Sequence, residues 1–101
     1  MTFVKVASAN DIPPGNKKEV TIKGESILVA NVDGKYYAIN NICPHGGCKL
    51  SFGALKGADI DCPCHGSVFD VKAGSVLKGP ATKAVRSFKV KVEKDQILVD
   101  A

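Results

Sequence analysis

Two short segments of the chain each place cysteine and histidine within a few residues of each other. The first is Cys43-Pro44-His45 and the second is Cys62-Pro63-Cys64-His65, with residues 46–61 between them. His45 and His65 are the 2 histidines of the chain. Thiolate and imidazole are donors that both iron–sulfur clusters and zinc use. The pattern therefore predicts a metal centre held between two loops.

Two kinds of metal centre use such a donor set. In a two-iron cluster of this type, one iron takes both cysteines and the other takes both histidines, which raises the reduction potential above that of an all-cysteine cluster. Structural zinc sites also use two cysteines and two histidines, but they pair like residues, with the cysteines roughly two to four residues apart. Here each pair is mixed, and one residue separates Cys43 from His45. We favour the two-iron cluster, and hence a one-electron carrier, and keep a zinc-stabilised interaction module as the alternative.

Length and charge restrict the remaining possibilities. A chain of 101 residues has room for one compact domain. Its net charge of +4 is a feature that proteins binding nucleic acid also have. The lysines are scattered, however, and alternate with apolar residues in 88–92, as on the solvated face of a strand. We therefore expect no nucleic-acid partner. With no apolar run of membrane-spanning length and no signal-peptide pattern, we expect a soluble, cytoplasmic protein without a membrane anchor.

Short apolar segments separated by turn residues predict strands throughout, and no segment has sustained helical periodicity. Asp33-Gly34 is a strong signal for a two-residue hairpin, and Lys94-Asp95 is a second tight turn. In the strand before Lys94, we expect Phe88, Val90 and Val92 to face inward. The predicted strands cover 20–22, 27–32, 35–40, 59–61, 68–71, 75–77, 87–93 and 96–100. The fold class is therefore all-β, a small antiparallel β-sandwich or barrel-like domain with both cysteine loops at strand ends.

The two segments resemble the paired boxes of the Rieske iron–sulfur family. The first box is Cys43-Pro44-His45-Gly46-Gly47-Cys48, and the second is Cys62-Pro63-Cys64-His65-Gly66-Ser67. The resemblance covers the whole chain and implies a single Rieske domain over 1–101, with a base at roughly 1–40 and 80–101 and a cluster-binding part of two loops at roughly 41–79. It further implies that Cys43 and Cys62 bind one iron of a [2Fe–2S] cluster and that His45 and His65 bind the other.

The resemblance also gives roles to residues beside the ligands. It implies a disulfide between Cys48 and Cys64 that ties the loops together, with two free thiols as the alternative. Ser67 and Phe69 stand where high-potential respiratory members carry a serine and a tyrosine whose hydroxyls donate to the cluster. Since Phe69 has no hydroxyl, we expect a potential below that of the respiratory type. Pro80 resembles the proline of a loop that shields the cluster, although an ordinary turn would explain it equally well.

Three functions remain open at this point. The resemblance implies a ferredoxin, a monomer that exchanges electrons with a protein donor and a protein acceptor and catalyses no reaction itself. Its narrower form belongs to an oxygenase system. The second possibility is the small Rieske-like subunit of a nitrite reductase, and the third is the zinc-stabilised module. A quinol-oxidising role is disfavoured, because Gly46 replaces the leucine that respiratory members carry after the first ligand histidine.

Overall fold

The computed structural model describes residues 3–43, 47–64, 66–79 and 83–100. They form ten strands in antiparallel sheets and two three-residue 3-10 helices, Ala9–Asp11 and Leu50–Phe52. The prediction of an all-β, antiparallel fold is confirmed. The strands are β1 (Phe3–Ser8), β2 (Lys17–Ile22), β3 (Glu25–Val32), β4 (Lys35–Asn40), β5 (Leu55–Lys56), β6 (Asp59–Asp61), β7 (Val68–Asp70), β8 (Val76–Lys78), β9 (Ser87–Glu93) and β10 (Gln96–Asp100).

Six strands form the larger sheet, in the order β1-β10-β9-β4-β3-β2. The pairing of β4 with β9 is short and consists of Ala38↔Phe88 and Ile39↔Ser87. The two edge strands, β1 and β2, approach each other, so the sheet folds over on itself. The apolar interior between its halves is called the base core here, and it comprises Ala7, Ile12, Ile22, Ile27, Val29, Ala38, Phe88, Ile97 and Val99.

The predicted hairpin turns are present, and their backbone explains them. Asp33 and Gly34 have φ values of +53° and +90°, and Lys94 and Asp95 have +49° and +62°. Positive φ at both central residues gives the two-residue turn whose twist matches that of paired strands. The Asp33-Gly34 turn is further fixed by Gly34 N–H, which donates to Asn31 Oδ1 over 2.8 Å.

Strand β3 is covered on both faces. Ile27 and Val29 point into the base core, whereas Leu28 and Ala30 point to the opposite side. There they meet the four-stranded sheet β5-β6-β7-β8. This second interior is called the loop core here, and it comprises Leu28, Ala30, Ile39, Cys43, Leu50, Ile60, Cys62, Phe69, Val71 and Val85. Cys43 and Cys62 therefore belong to one packed cluster.

The prediction for Val92 was wrong. Phe88 is buried and Val90 is half-buried, but the side chain of Val92 is 45% exposed. Strand β9 pairs with β4 only at Ser87 and Phe88. Beyond Phe88, β10 is the only strand of the described residues that pairs with β9. The side chains of β9 still alternate between the two faces there, but Val92 lacks the cover that buries Phe88.

Strand limits differ from the predictions mainly at the edges of the sheets. Strands β1 and β5 were not predicted, and β2 begins at Lys17 instead of residue 20. Strand β8 covers Val76–Lys78, one residue later than expected. Each of these strands is an edge strand, which pairs with one neighbour only, so fewer ladder hydrogen bonds fix its limits. No helix in the described parts of the chain is long and apolar enough to cross a bilayer.

Candidate metal centre

Two cysteines outside any disulfide, Cys43 and Cys62, are both buried in the loop core, with exposures of 0% and 2%. Cys43 lies just beyond the end of β4, and Cys62 directly follows β6. A buried thiol without a disulfide partner in a packed interior suits a metal ligand shielded from water.

The two cysteines begin loops that close in the same way. Cys43 N–H donates to Cys48 O over 2.8 Å, and Gly47 N–H donates back to Cys43 O over 2.8 Å. Cys62 N–H likewise donates to the carbonyl oxygen five residues on, in Ser67, over 2.6 Å, and Gly66 N–H donates to Cys62 O over 3.0 Å. The two buried thiols thus occupy equivalent positions, the first of each of two six-residue loops.

Each loop needs its glycine at the fifth position. Gly47 and Gly66 have φ values of +73° and +76°, the left-handed region that disfavours residues with a Cβ. Neither glycine would bring a Cβ within 4 Å of another atom, so backbone conformation rather than space selects glycine here. Sequence reasoning identified these residues as parts of the boxes but not the shared turn that requires them.

A disulfide joins the two loops through Cys48 and Cys64, whose Cα atoms are 6.3 Å apart. It connects the last residue of the first loop to the third residue of the second. Cys43 and Cys62 are not part of this disulfide, so the structure divides the four cysteines into one covalent pair and one pair of buried thiols.

Three residues to which the sequence analysis assigned roles, His45, His65 and Pro80, lie outside the described residues. In the parts of the chain that are described, no group of three or more His, Cys, Asp or Glu side chains is arranged to hold a metal ion. The donor set fits an iron–sulfur cluster nevertheless, because two buried thiols stand at equivalent loop positions and an imidazole follows each of them in the sequence.

The side chains of Ser67 and Phe69 are fully buried. Ser67 ends the second loop, where its carbonyl oxygen accepts the hydrogen bond from Cys62. Phe69 pairs with Ile60 across β6 and β7 and belongs to the loop core. Both residues therefore lie on the same structural unit as Cys62.

The first loop is attached to the sheet through Asn41, a fully buried residue. Its Oδ1 accepts from Ser51 N–H over 2.7 Å, and its Nδ2 donates to Ser26 Oγ over 3.0 Å and to Ser51 Oγ over 3.1 Å. Sequence reasoning missed this residue. The available signal was an amide side chain directly after β4, two residues before Cys43.

The same network reaches a surface ion pair. Glu19 Oε2 accepts from Ser26 Oγ over 2.5 Å and lies 2.9 Å from Lys49 Nζ. The hydrogen bond from Ser26 and that from the Lys49 ammonium hold the pKa of Glu19 below its ordinary value of 4.5. Strand β2 is in this way linked electrostatically to Lys49, the residue next to Cys48.

Comparison with known proteins agrees with this geometry. The family model of the Rieske [2Fe-2S] domain matches residues 2–89. The ferredoxin component of the naphthalene 1,2-dioxygenase system from Pseudomonas aeruginosa is 34% identical over 98 residues, which cover 97% of this chain and 94% of the relative.

Solved structures give the same result. The ferredoxin of carbazole 1,9a-dioxygenase from Nocardioides aromaticivorans IC177 matches 98% of this chain and 97% of its own, with a TM-score of 0.94 and 32% identity. A complex of reduced oxygenase and oxidized ferredoxin in carbazole 1,9a-dioxygenase contains a chain of TM-score 0.92 and 35% identity, with 96% of this chain and 91% of that chain covered. The chain therefore belongs to the Rieske [2Fe–2S] family, and the two-iron cluster of that family makes it a one-electron carrier.

Proposed function

We propose that this chain carries single electrons from a redox-protein donor to the terminal oxygenase of a dioxygenase system. The observation that supports this most directly is the match, over nearly the full length of both chains, to ferredoxin components of such systems. The cluster supplies one-electron chemistry, and the chain holds it, shields it and presents it to partners. The small subunit of a nitrite reductase remains the competing assignment from the sequence.

We assign Cys43 and Cys62 to one iron and His45 and His65 to the other. Support for the cysteines comes from their burial and from their equivalent positions in the two loops. The disulfide supports the same assignment, since it occupies the other two cysteines. The histidines are assigned from their place in the two boxes, one residue after the first loop's proline and one residue after Cys64.

Ser67 and Phe69 are proposed to set the potential. A hydroxyl that donates to a cluster sulfur stabilises the more negative reduced state and raises the potential. Ser67 can supply such a donor from its buried position at the end of the second loop, whereas buried Phe69 cannot. We therefore expect a value inside the range of about −150 to +300 mV for histidine-ligated clusters, below members that carry both hydroxyls.

A redox titration followed by visible absorption and electron paramagnetic resonance tests the ligand set. Two iron and two acid-labile sulfide per chain with a midpoint in that range are expected. A midpoint near the value of about −400 mV for plant-type clusters would contradict histidine ligation. A colourless protein that contains zinc and no sulfide would contradict the whole assignment.

Electron delivery to partners tests the oxygenase role. The chain, reduced anaerobically, is mixed in a stopped-flow instrument with a purified terminal oxygenase of a naphthalene dioxygenase system or with a nitrite reductase large subunit. Rapid reoxidation of the chain by the oxygenase, and slow reoxidation by the reductase, is the expected result. The reverse order of rates would favour the nitrite reductase assignment.

The carrier is further proposed to act as a monomer in the cytoplasm. The large apolar side chains that the described residues expose are Ile42, Phe52, Leu77 and Val92, and no two of them share a helix or strand. Scattered apolar residues of this kind are ordinary on a monomer. Light scattering of the purified protein tests the oligomeric state, and cell fractionation tests the location. A stable dimer or an extracytoplasmic pool would contradict these assignments.

A further inference from the structure

The loop that begins at Cys62 is supported by regular β-structure. Strands β6 and β7 form a ladder at its base, with the pairs Asp61↔Val68, Ile60↔Phe69 and Asp59↔Asp70. Strands β5 and β8 flank this hairpin on either side. The position of the second ligand loop is therefore fixed by a four-stranded sheet.

The loop that begins at Cys43 has much less backbone support. One isolated bridge, Ile42↔Lys49, follows the hydrogen bond that closes the loop. Behind that bridge, Leu50 N–H donates to Asn41 O over 2.7 Å. In the described residues no named strand pairs with the segment that leaves this loop, because the chain turns at once into the 3-10 helix Leu50–Phe52.

The side chain of Asn41 supplies the missing connections. Its Oδ1 and Nδ2 bond the backbone and the hydroxyl of Ser51, which holds the exit of the loop. The backbone N–H of Asn41 donates to Ser26 O over 3.0 Å, and the side-chain Nδ2 donates to Ser26 Oγ. Together they hold the entry of the loop against β3. One buried amide thus joins both ends of the first loop to the six-stranded sheet.

The network closes on itself at the surface. Ser26 Oγ donates to Glu19, and Glu19 pairs with Lys49, the residue that forms the bridge with Ile42. The loop exit is therefore bonded to β3 directly through Asn41 and to β2 through Lys49. Because Asn41 is fully buried, removal of its amide would leave buried donors and acceptors unpaired.

We infer that Asn41 is a positioning residue for the iron–sulfur centre, which fixes Cys43 relative to Cys62 through the side-chain network that replaces a strand pair at the first loop. The inference rests on the proposed role of Cys43 as a ligand. Residues that hold ligands in place without touching the metal affect both its retention and its potential. Asn41 is expected to act on both properties of the cluster.

A second buried asparagine provides a matched control. Asn31 is 2% exposed, and its Nδ2 donates to Ile12 O over 2.8 Å while its Oδ1 accepts from Gly34 over 2.8 Å. It therefore makes a comparable set of hydrogen bonds at the Asp33-Gly34 turn, in contact with the base core residue Ile12. The substitutions Asn41→Ala and Asn31→Ala remove the same group from two places that differ in their connection to the ligand loops.

The experiment compares the two variants as purified, cluster-loaded proteins. Both are expected to lower the apparent melting temperature. Only Asn41→Ala is expected to shorten the half-life of the visible absorption in the presence of an iron chelator, by about tenfold, and to shift the midpoint potential. Equal half-lives and equal midpoints in the two variants would overturn the inference.

A milder change covers the case in which Asn41→Ala does not fold. Ser51→Ala removes one hydroxyl of the network and keeps the hydrogen bond that the backbone N–H of residue 51 donates to Asn41 Oδ1. It is expected to change half-life and midpoint in the same direction by less, and a cluster half-life identical to that of the unmodified protein would contradict the inference. The unmodified protein separates the two hypotheses. If it lacks a histidine-ligated cluster, the proposed function fails, whereas a normal cluster with no specific effect of Asn41 rejects this inference alone.

Discussion

The loop at Cys62 is held at both ends by strands β6 and β7 of the four-stranded sheet. The loop at Cys43 follows the end of β4, and the isolated bridge Ile42↔Lys49 is the β-pairing at its base. Both loops nevertheless close through the same two backbone hydrogen bonds and a glycine of positive φ. Local loop geometry is thus shared while the support differs. The first loop depends on side-chain hydrogen bonds for what the second obtains from its ladder.

This difference shows which interactions place the two thiols together. The loops meet through the disulfide and through a close approach between Gly53, after the first loop, and Asp61, before the second. The Asp61 N–H also donates to Ala54 O over 3.1 Å. A change at this junction should therefore affect both loops, whereas a change in one support should affect mainly its own.

The largest effect is expected at the junction itself. A Cβ at residue 53 would fall onto the carbonyl oxygen of Asp61, so Gly53→Ala requires the backbone to move. We expect a loss of about 4 kcal/mol in the free energy of unfolding, together with loss of the cluster. Urea unfolding and iron content measure the two effects.

Gly57→Ala is the control for this substitution. Gly57 has a φ of +61° and open space around its Cβ position, so its cost is backbone strain of about 1 kcal/mol. If Gly53→Ala costs no more than this control, the close approach does not constrain the loops.

The next largest effect concerns the disulfide. Its closure of a segment with a sequence separation of 16 predicts a loss of about 3 kcal/mol when both Cys48 and Cys64 are replaced by serine, measured by urea unfolding of the cluster-free protein. The loss should be smaller with the cluster bound, because the cluster then also joins the loops. An equal loss in both forms would mean that the cluster does not bridge them.

A smaller effect is expected on the midpoint potential of the cluster when a hydroxyl is added or removed beside the second loop. Phe69→Tyr should raise the midpoint potential and Ser67→Ala should lower it, and redox titrations of the purified variants measure both shifts. Phe88→Tyr is the control, since Phe88 belongs to the base core. A midpoint shift as large in Phe88→Tyr as in Phe69→Tyr would remove the hydrogen-bond explanation.

The smallest effect concerns Glu19 and depends on pH. Because its pKa in the folded protein lies below the ordinary 4.5, the ionised carboxylate stabilises the fold above that value. The contribution is lost as the pH falls through the lowered pKa. Glu19→Gln should therefore lower the apparent melting temperature near neutral pH, and the difference from the unmodified protein should vanish in acid.

Glu93→Gln serves as the comparison for Glu19→Gln. The ion pair of Glu93 with Lys91 has side chains that are 61% and 46% exposed, and exposed pairs add little to stability. We expect no measurable change in melting temperature for this variant. A pH-independent difference for Glu19→Gln would contradict the proposed link between β2 and the first loop.

The contrast between the loops also explains which features of the structure could be predicted from the sequence alone. Hairpins at Asp33-Gly34 and Lys94-Asp95 were predictable, because turn residues of positive φ act locally. The cysteine–histidine boxes were recognisable because the type and spacing of their donor residues indicate a metal centre directly in the sequence. Asn41 was not predicted, since an asparagine at a strand end reads as a turn former and its partners Ser26 and Ser51 are set by tertiary structure. Val92 was assigned to the wrong environment for the same reason, because alternation specifies a face but not what covers it.

The central claim is that two imidazoles and two thiols hold a two-iron cluster between the paired loops. Because the chain has 2 histidines, labelling with ¹⁵N-histidine makes pulsed electron paramagnetic resonance of the reduced protein unambiguous. The account predicts hyperfine couplings from two histidine nitrogens, and the loss of one of them in His65→Cys. Spectra without histidine couplings, as from four thiolates, would contradict it.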